Sequence, residues 1–548
     1  MDTLRYVVST PLAPGISLGR AFLMLAYFGT LLFAALNQNN IFVNPGRAGA
    51  IAVSQLPSLY ALGTKNSPFD LLLGLGYERL NFYHRYMGRL VVLAANVHAV
   101  GYIYKWAQAG QFGKHIQSAE MQWGLLALIC FDILFFFSLS IFRQRFYQFF
   151  YVTHFLALLF ALIAIGSHRE QFRPYVAIAA ALYVIDRVFR VVRSRIGTAH
   201  IETIPEIGTT LVRFNQPRLN AGWKAGQHVR VRVMSLKMGW FAWADVHPFT
   251  IASAPRAPSV AAHFRTHPTL ATQGDDGGEL VLMIKKAGDW TDRLYHLADE
   301  PARERPLDNP GTNIKMIVEG PYGEFFSASL ASFSGAMVVV GGSGISFGLS
   351  AVQDLLHNAS PVHAGGISTI ELIWCVQSAR AIKPLIPVFK ALLSQSARDK
   401  SQELLHSSAS SLMEVDRPTL KVSVYYTRAP TQQDNDALMT LHENDVEDAS
   451  IHEKQASGSP FPSGISLHAG RPKLSLILES VTDRTTARLL DGKAGVGEES
   501  LRKPSCKARG VVIAVCGPGA LAEDCRGAVG DIDHWKKRAV GGIELVTE

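Results

Sequence analysis

Residues 82–98 read FYHRYMGRLVVLAANVH, and residues 148–168 read QFFYVTHFLALLFALIAIGSH. Each apolar run carries a histidine pair, His84 with His98 and His154 with His168, and 13 residues separate the members of each pair. On a helix, fourteen steps of about 100° stop within about 40° of four whole turns, so both members face one way. At about 1.5 Å per residue they stand about 21 Å apart along the axis. Two such helices running in the same direction present one His–His couple at each of two depths. A single intramembrane histidine is as readily a packed polar residue as a ligand, whereas two identical pairs point to a site. The arrangement fits two bis-histidine b-type haems stacked across a bilayer, closed sites suited to electron transfer. His84, His98, His154 and His168 are therefore the candidate metal ligands.

Outward from these runs, the first 192 residues hold nearly all the long apolar stretches of a 548-residue chain. A bilayer-spanning helix needs about 20 mostly apolar residues. Candidate spans lie near 20–37, 48–64, 84–104, 121–141, 148–168 and 174–192, the second interrupted by Pro57. Only 18% of the chain is charged, against about a quarter in ordinary soluble domains, which fits a membrane half followed by a soluble half. The net charge of +8 comes with no nucleic-acid motif, and the basic residues flank apolar segments. Membrane lipid, and not nucleic acid, is the expected partner. With six spans, three basic groups fall on one side: Arg79, Arg85 and Arg89; Arg143 and Arg145; Arg187, Arg190, Arg193 and Arg195. The positive-inside rule makes that side, and the soluble half, cytosolic. Arg85 and Arg89 could meet haem propionates, and membrane anchoring explains them equally well. Asp132, inside the fourth span, is an intramembrane carboxylate without an assigned role. The five cysteines show no metal-site spacing, and the N-terminus lacks the basic lead-in of a cleavable signal peptide.

From about residue 196 the pattern turns to short alternating runs, as in a β-barrel. Expected strands are 199–204, 209–214, 228–233, 279–285 and 314–320. GDWT (288–291) opens a helix whose free N–H groups suit a pyrophosphate, which marks Gly288, Trp290 and Thr291. Then AMVVVGGSGISFGLS (336–350) gives a strand, a glycine turn and a helix start. There Gly341, Gly342 and Gly344 let a phosphate approach the backbone, although a tight strand-to-helix turn needs no ligand. Strands at 369–376, 419–426, 511–516 and 542–547 alternate with helices, which implies a doubly wound parallel sheet. Arg428 and Arg471 are candidates for the ribose side, where a cation favours NADPH over NADH. The expected domains are 1–195 in the membrane, 196–330 for the barrel and 331–548 for the sheet. Insertions near 396–416 and 429–468 look too polar to fold.

The histidine runs resemble the core of the fungal ferric-chelate reductases, within a superfamily that includes the NADPH oxidases. Equal gaps in both histidine pairs match the reductase branch. HPFTIAS (247–253), preceded by GQHV (226–229), resembles the flavin signature of the ferredoxin–NADP reductase superfamily. The resemblance implies FAD with His247 and Pro248 near it, His247 by the phosphates, Phe249 packed on the isoalloxazine and Thr250 hydrogen-bonded near its reactive nitrogen. EGPYG (319–323) resembles the hinge between the flavin and nicotinamide modules. CGPG (516–519) resembles the family's Cys-Gly-Pro. That likeness places Cys516, Gly517 and Pro518 beside the nicotinamide, with Cys516 and Thr250 in catalytic roles. Alone, Cys516 reads as a small buried residue. The family carries a terminal aromatic that covers the flavin; the sequence stops at GIELVTE (542–548) without one. The function implied is transfer of electrons from cytosolic NADPH through FAD and two haems to ferric chelates or other extracellular metal ions. A plasma-membrane location and an iron permease downstream go with it. An NADPH oxidase making superoxide and a non-catalytic haem-binding membrane protein are the alternatives.

Overall fold

The computed structural model describes residues 11–13, 16–73, 76–214, 222–240, 244–255, 279–304, 311–323, 330–358, 366–397, 417–429, 464–494 and 508–547. It divides into two compact units, Met1–Val192 and Arg193–Glu548.

The first unit is helical. Its main helices are α1 (Leu18–Leu36), α2 (Gly46–Ser54), α3 (Leu56–Gly63), α4 (Tyr77–Gln108), α5 (Ala119–Phe137), α6 (Tyr147–His168) and α7 (Arg173–Val192). All six apolar stretches are helical, but among the described residues four helices are long and apolar enough to cross a membrane: α1, α4, α5 and α6. The stretch near 48–64 is two short helices, with Pro57 in the first turn of α3. Proline suits a helix start and breaks a helix interior. The last stretch, α7, is long enough, but it carries Asp186, Arg187 and Arg190. Asp186 is buried and ties the loop after α3 to α7, accepting from Asn66 N–H and Nδ2 at 2.9 and 3.0 Å. Along α1 no residue is buried, and Phe22 and Leu25 are 69% exposed. A helix this apolar and this uncovered needs lipid around it.

The second unit holds a barrel and a parallel sheet. The barrel strands are β1 (Ser194–Ile204), β2 (Thr209–Phe214), β3 (His228–Val233), β4 (His247–Thr250), β5 (Leu280–Lys285) and β6 (Thr312–Tyr322), with α8 (Asp289–Glu304) before β6. They pair antiparallel in the order β4-β3-β6-β1-β2-β5. A bridge from Ile251 to Leu282 nearly closes the ring. The sheet is built from β7 (Gly335–Gly341), β8 (Thr369–Val376), β9 (Thr419–Tyr426), β10 (Ile465–Ala469), β11 (Val511–Cys516) and β12 (Ile543–Thr547). Its helices include α9 (Ile345–His357), α10 (Ile386–Ala397), α11 (Leu474–Ala494) and α12 (Gly519–Asp531). The strands run parallel in the order β10-β9-β8-β7-β11-β12, so the winding reverses between β7 and β11. Ligands bind beyond the strand ends at such a reversal.

One expectation is corrected. The stretch 429–468 was expected to lack structure, but residues 465–468 belong to β10. The stacked rings of Tyr425 and His468, 4.8 Å apart, pin that edge strand. Residues 398–416 and 430–463 of the two insertions lie outside the described residues.

Candidate functional site

In the membrane unit each of the four histidines is oriented by a neighbouring helix or the residues at its end. His84 Nδ1 lies 2.9 Å from the Leu59 carbonyl of α3, and His98 Nδ1 2.9 Å from the Pro45 carbonyl ahead of α2. His168 Nδ1 lies 2.8 Å from the Glu120 carbonyl of α5, and His154 Nδ1 3.1 Å from Ser138 Oγ at the end of α5. A carbonyl can only accept, so His84, His98 and His168 carry their proton on Nδ1 and keep Nε2 as a lone pair. The Ser138 hydroxyl can hold His154 in the same tautomer. Metal-binding imidazoles are oriented in this way by the second nitrogen.

The rings lie on small residues. An added Cβ would stand 2.7 Å from His98 Nδ1 at Gly49, 2.9 Å from the His84 ring at Gly63, and 2.7 Å from His168 Cε1 at Gly124. The His98 and His168 centroids are 6.4 Å apart. Two metal–imidazole bonds of about 2 Å, plus the reach from each nitrogen to its ring centre, span roughly that distance. The His98 and His168 imidazoles thus fit metal ligation as a couple, and His84 and His154 are neighbours one repeat along the same two helices. Arg85, next to His84 in the chain, lies near Arg89 and Arg143. Asp132 accepts from Asn96 Nδ2 at 2.9 Å, a polar pair between helices.

The sequence reading missed the residues that seat the histidines. Gly49 and Gly63 stand 14 apart, as do Gly124 and Ser138, the same interval as within each histidine pair. That repetition was a legible signal.

In the second unit the candidate nucleotide residues converge at the reversal point. A cleft of about 870 Å³ there is lined by Thr250 from the barrel and by Gly341, Gly342, Gly344, Arg471, Cys516, Gly517 and Pro518 from the sheet side. The two glycine turns interlock. A Cβ at Gly344 would meet the Cys516 carbonyl oxygen at 2.6 Å, and one at Gly341 would meet Pro518 Cδ at 3.0 Å. Gly342, at φ +54°, is left-handed, and Trp374 Nε1 donates to its carbonyl at 3.0 Å. Trp374 therefore fixes the turn, a role the sequence reading did not assign. Arg428 is exposed just past β9, its N–H donating to Gln377.

Barrel and sheet are fastened around this cleft. Gly226 N–H donates to Ser350 Oγ at 3.2 Å, and Ala254 N–H to Gln353 Oε1 at 2.9 Å, both acceptors lying on α9.

Strand β4 splits its residues by the two-residue period of a strand. Its odd members, His247 and Phe249, pack on Trp290, the first tilted and the second stacked, with centroids 4.5 and 5.7 Å away. Thr250 lines the cleft, and Pro248 is exposed. Phe249 thus packs on the indole of α8. Burial, more than the nearby Arg230, holds His247 below the usual imidazole range and so neutral, against the opposing pull of Asp245. Both His247 Nε2 and Trp290 Nε1 are buried without a hydrogen-bond partner among the described residues. Buried polar atoms left in that state need an external partner, and FAD phosphate or ribityl oxygens would provide it. The Gly288 N–H, expected to face a pyrophosphate, donates to Thr291 Oγ1 at 3.0 Å, as does the Ala287 N–H at 2.9 Å.

Comparison with known proteins follows the same division. Residues 48–165 match the ferric reductase like transmembrane component, 196–325 an FAD-binding domain, and 333–529 the ferric reductase NAD binding domain. "Ferric reductase transmembrane component 1" of Schizosaccharomyces pombe is 26% identical over 61% of this chain and 60% of its own length. "Ferric/cupric reductase transmembrane component 1" of Candida albicans is 24% identical over 64% and 44%. "Probable metalloreductase AIM14" of Clavispora lusitaniae is 25% identical over 88% and 78%. The chain spans about half the length of the first two of these relatives. With the membrane, flavin and nicotinamide modules matched in one order along a multi-pass chain, this protein belongs to the fungal ferric-chelate reductase family.

Proposed function

We propose that the chain is a transmembrane ferric-chelate reductase that draws electrons from cytosolic NADPH and delivers them to ferric iron, or cupric ions, beyond the plasma membrane. The observation that carries this reading is the shared arrangement of four intramembrane imidazoles, each held by Nδ1 with the second nitrogen left for a metal. When bound, FAD supplies the change from hydride to one-electron chemistry, and b-type haem supplies one-electron sites at two depths.

The chain's own residues bind, orient and exclude water. Gly341, Gly342, Gly344 and Gly517 keep the strand ends open for dinucleotide phosphates. Arg471 in the cleft and Arg428 beside it offer cations to the extra phosphate of NADPH. Cys516 on the sheet wall and Thr250 on the barrel wall bracket the place where nicotinamide and flavin would meet. His247 and Trp290 offer to the flavin the ring nitrogens that lack a partner among the described residues. His84 with His154, and His98 with His168, would hold the haems. The ferrous product would serve an iron permease, and the names of the relatives support the metal acceptor.

The test is ferric reduction by whole cells carrying the parent chain, His98→Ala or His168→Ala, with haem counted on the purified proteins. Two b-type haems per parent chain are expected, with at least about tenfold less reduction in either variant. Superoxide without iron reduction would replace this reading with an oxidase. Haem binding without NADPH oxidation in the presence of ferric chelate would make the chain non-catalytic.

A further inference from the structure

Five histidines lie in the membrane unit, and the function above uses four of them. The fifth, His115, sits on the short helix Phe112–Ile116 that follows α4. Its ring lies flat on Trp106, with centroids 4.6 Å apart and planes 12° apart. Trp106 lies 5.0 Å from Tyr102, and Tyr102 lies 5.0 Å from His98. Residues at i, i+4 and i+8 share one helix face, so α4 carries His98, Tyr102 and Trp106 as a column that His115 completes. This continuous file of rings runs from an imidazole of the His98–His168 couple to half-exposed Trp106 and His115 at the end of the bundle.

His115 also differs from the other four in its bonding. Their Nδ1 atoms are engaged. The hydrogen bonds that His115 makes among the described residues are those of its backbone, N–H to Gln111 and carbonyl from Ser118. Stacking fixes the ring plane and leaves both ring nitrogens at its edge. An imidazole held in this way is a preorganised donor for copper or iron. Lys114, the residue before His115 on the same short helix, suits an anionic chelate.

We propose that His115, backed by Trp106, is the docking ligand for the external metal acceptor. One imidazole nitrogen would take an open coordination position on a cupric ion or a partly coordinated ferric chelate. The inference rests on the reductase reading above. The reaction balances as NADPH plus two Cu(II) giving NADP⁺, a proton and two Cu(I), or the same with Fe(III) and Fe(II). No atom is transferred to the metal, and the ring column shortens the gap between the acceptor and the His98–His168 couple.

The test uses the full chain purified with its haem and compares the parent with His115→Gln and His115→Phe. Phenylalanine keeps the stack and removes the nitrogens. Paramagnetic resonance with Cu(II) in the absence of NADPH should show one nitrogen-bound copper in the parent that both variants lack. The KM for Cu(II) should rise at least about tenfold in both, with kcat within about twofold and the haem spectrum unchanged, the signature of lost acceptor binding. If His115→Phe matches the parent in copper signal and KM, the ring is a structural cap and the inference falls alone. A parent that lacks haem, or oxidises no NADPH with metal, overturns the reductase reading and this inference together.

Discussion

A methyl group at Gly124 would press on the His168 ring from α5, the same helix whose Glu120 carbonyl ties His168 Nδ1. The ring can yield only by giving up its aim. Under the proposed function, Gly124→Ala is therefore expected to cost a haem at the His98–His168 couple, lowering haem from two to one per chain and ferric reduction at least about tenfold, read by haem spectrum and cell assay. Gly88→Ala is the control, since its nearest atom would be Leu59 Cδ1 at an ordinary 3.7 Å. Two thiols in the second unit carry a different expectation. Burial and the carboxylate of Asp524 push Cys375 up to about 11 and Cys525 up to about 12. Both are thiols at neutral pH, so in the folded protein iodoacetamide should label them slowly. The Cys375 rate should grow about tenfold per unit between pH 7.5 and 9.5, as its thiolate fraction grows. Mass spectrometry of the labelled chain checks this.

Among elements, the join of β3 and β6 turns on a buried carboxylate. Glu319 meets Arg230 at 3.2 Å and Arg232 at 3.4 Å, and it accepts from Tyr322 Oη at 3.1 Å. Removing one member of a buried ionic group leaves the others uncompensated and costs about 3–5 kcal/mol. Glu319→Ala should lower the Tm of the purified chain and release flavin; an unchanged melting curve would show that the arginines find other partners. Strand β10 shows the opposite lesson. Its run, ISLHA, is too short and too mixed to stand out after a long polar stretch. It becomes a strand because β9 offers it a parallel edge and Tyr425 a ring on which His468 stacks. Likewise, alternation along β4 was readable, but not that α8 would bring Trp290 to the face that holds His247 and Phe249.

For the whole molecule, catalysis needs the barrel and the sheet held in register around their cleft, and α9 does this through Ser350 and Gln353. Gln353→Ala strands the buried Ala254 N–H, which costs about 1–3 kcal/mol. It should slow flavin reduction by NADPH in stopped-flow experiments while leaving haem content at the parent level. The sequence by itself determined what local periodicity carries: the histidine register, the apolar runs, the strand alternation and the glycine turns. Each follows from the 3.6- or two-residue repeat of the backbone, which one chain displays without reference to its partners. The interval shared by Gly49 with Gly63 and Gly124 with Ser138 was equally local, but its meaning depended on knowing which helices are neighbours. Only the tertiary structure decided which carbonyl or hydroxyl aims each imidazole, which face of β4 meets an indole, and that Thr250 and Cys516 line one cleft. Such contacts join residues far apart in the chain, and the packing that selects them leaves no repeat in a single sequence.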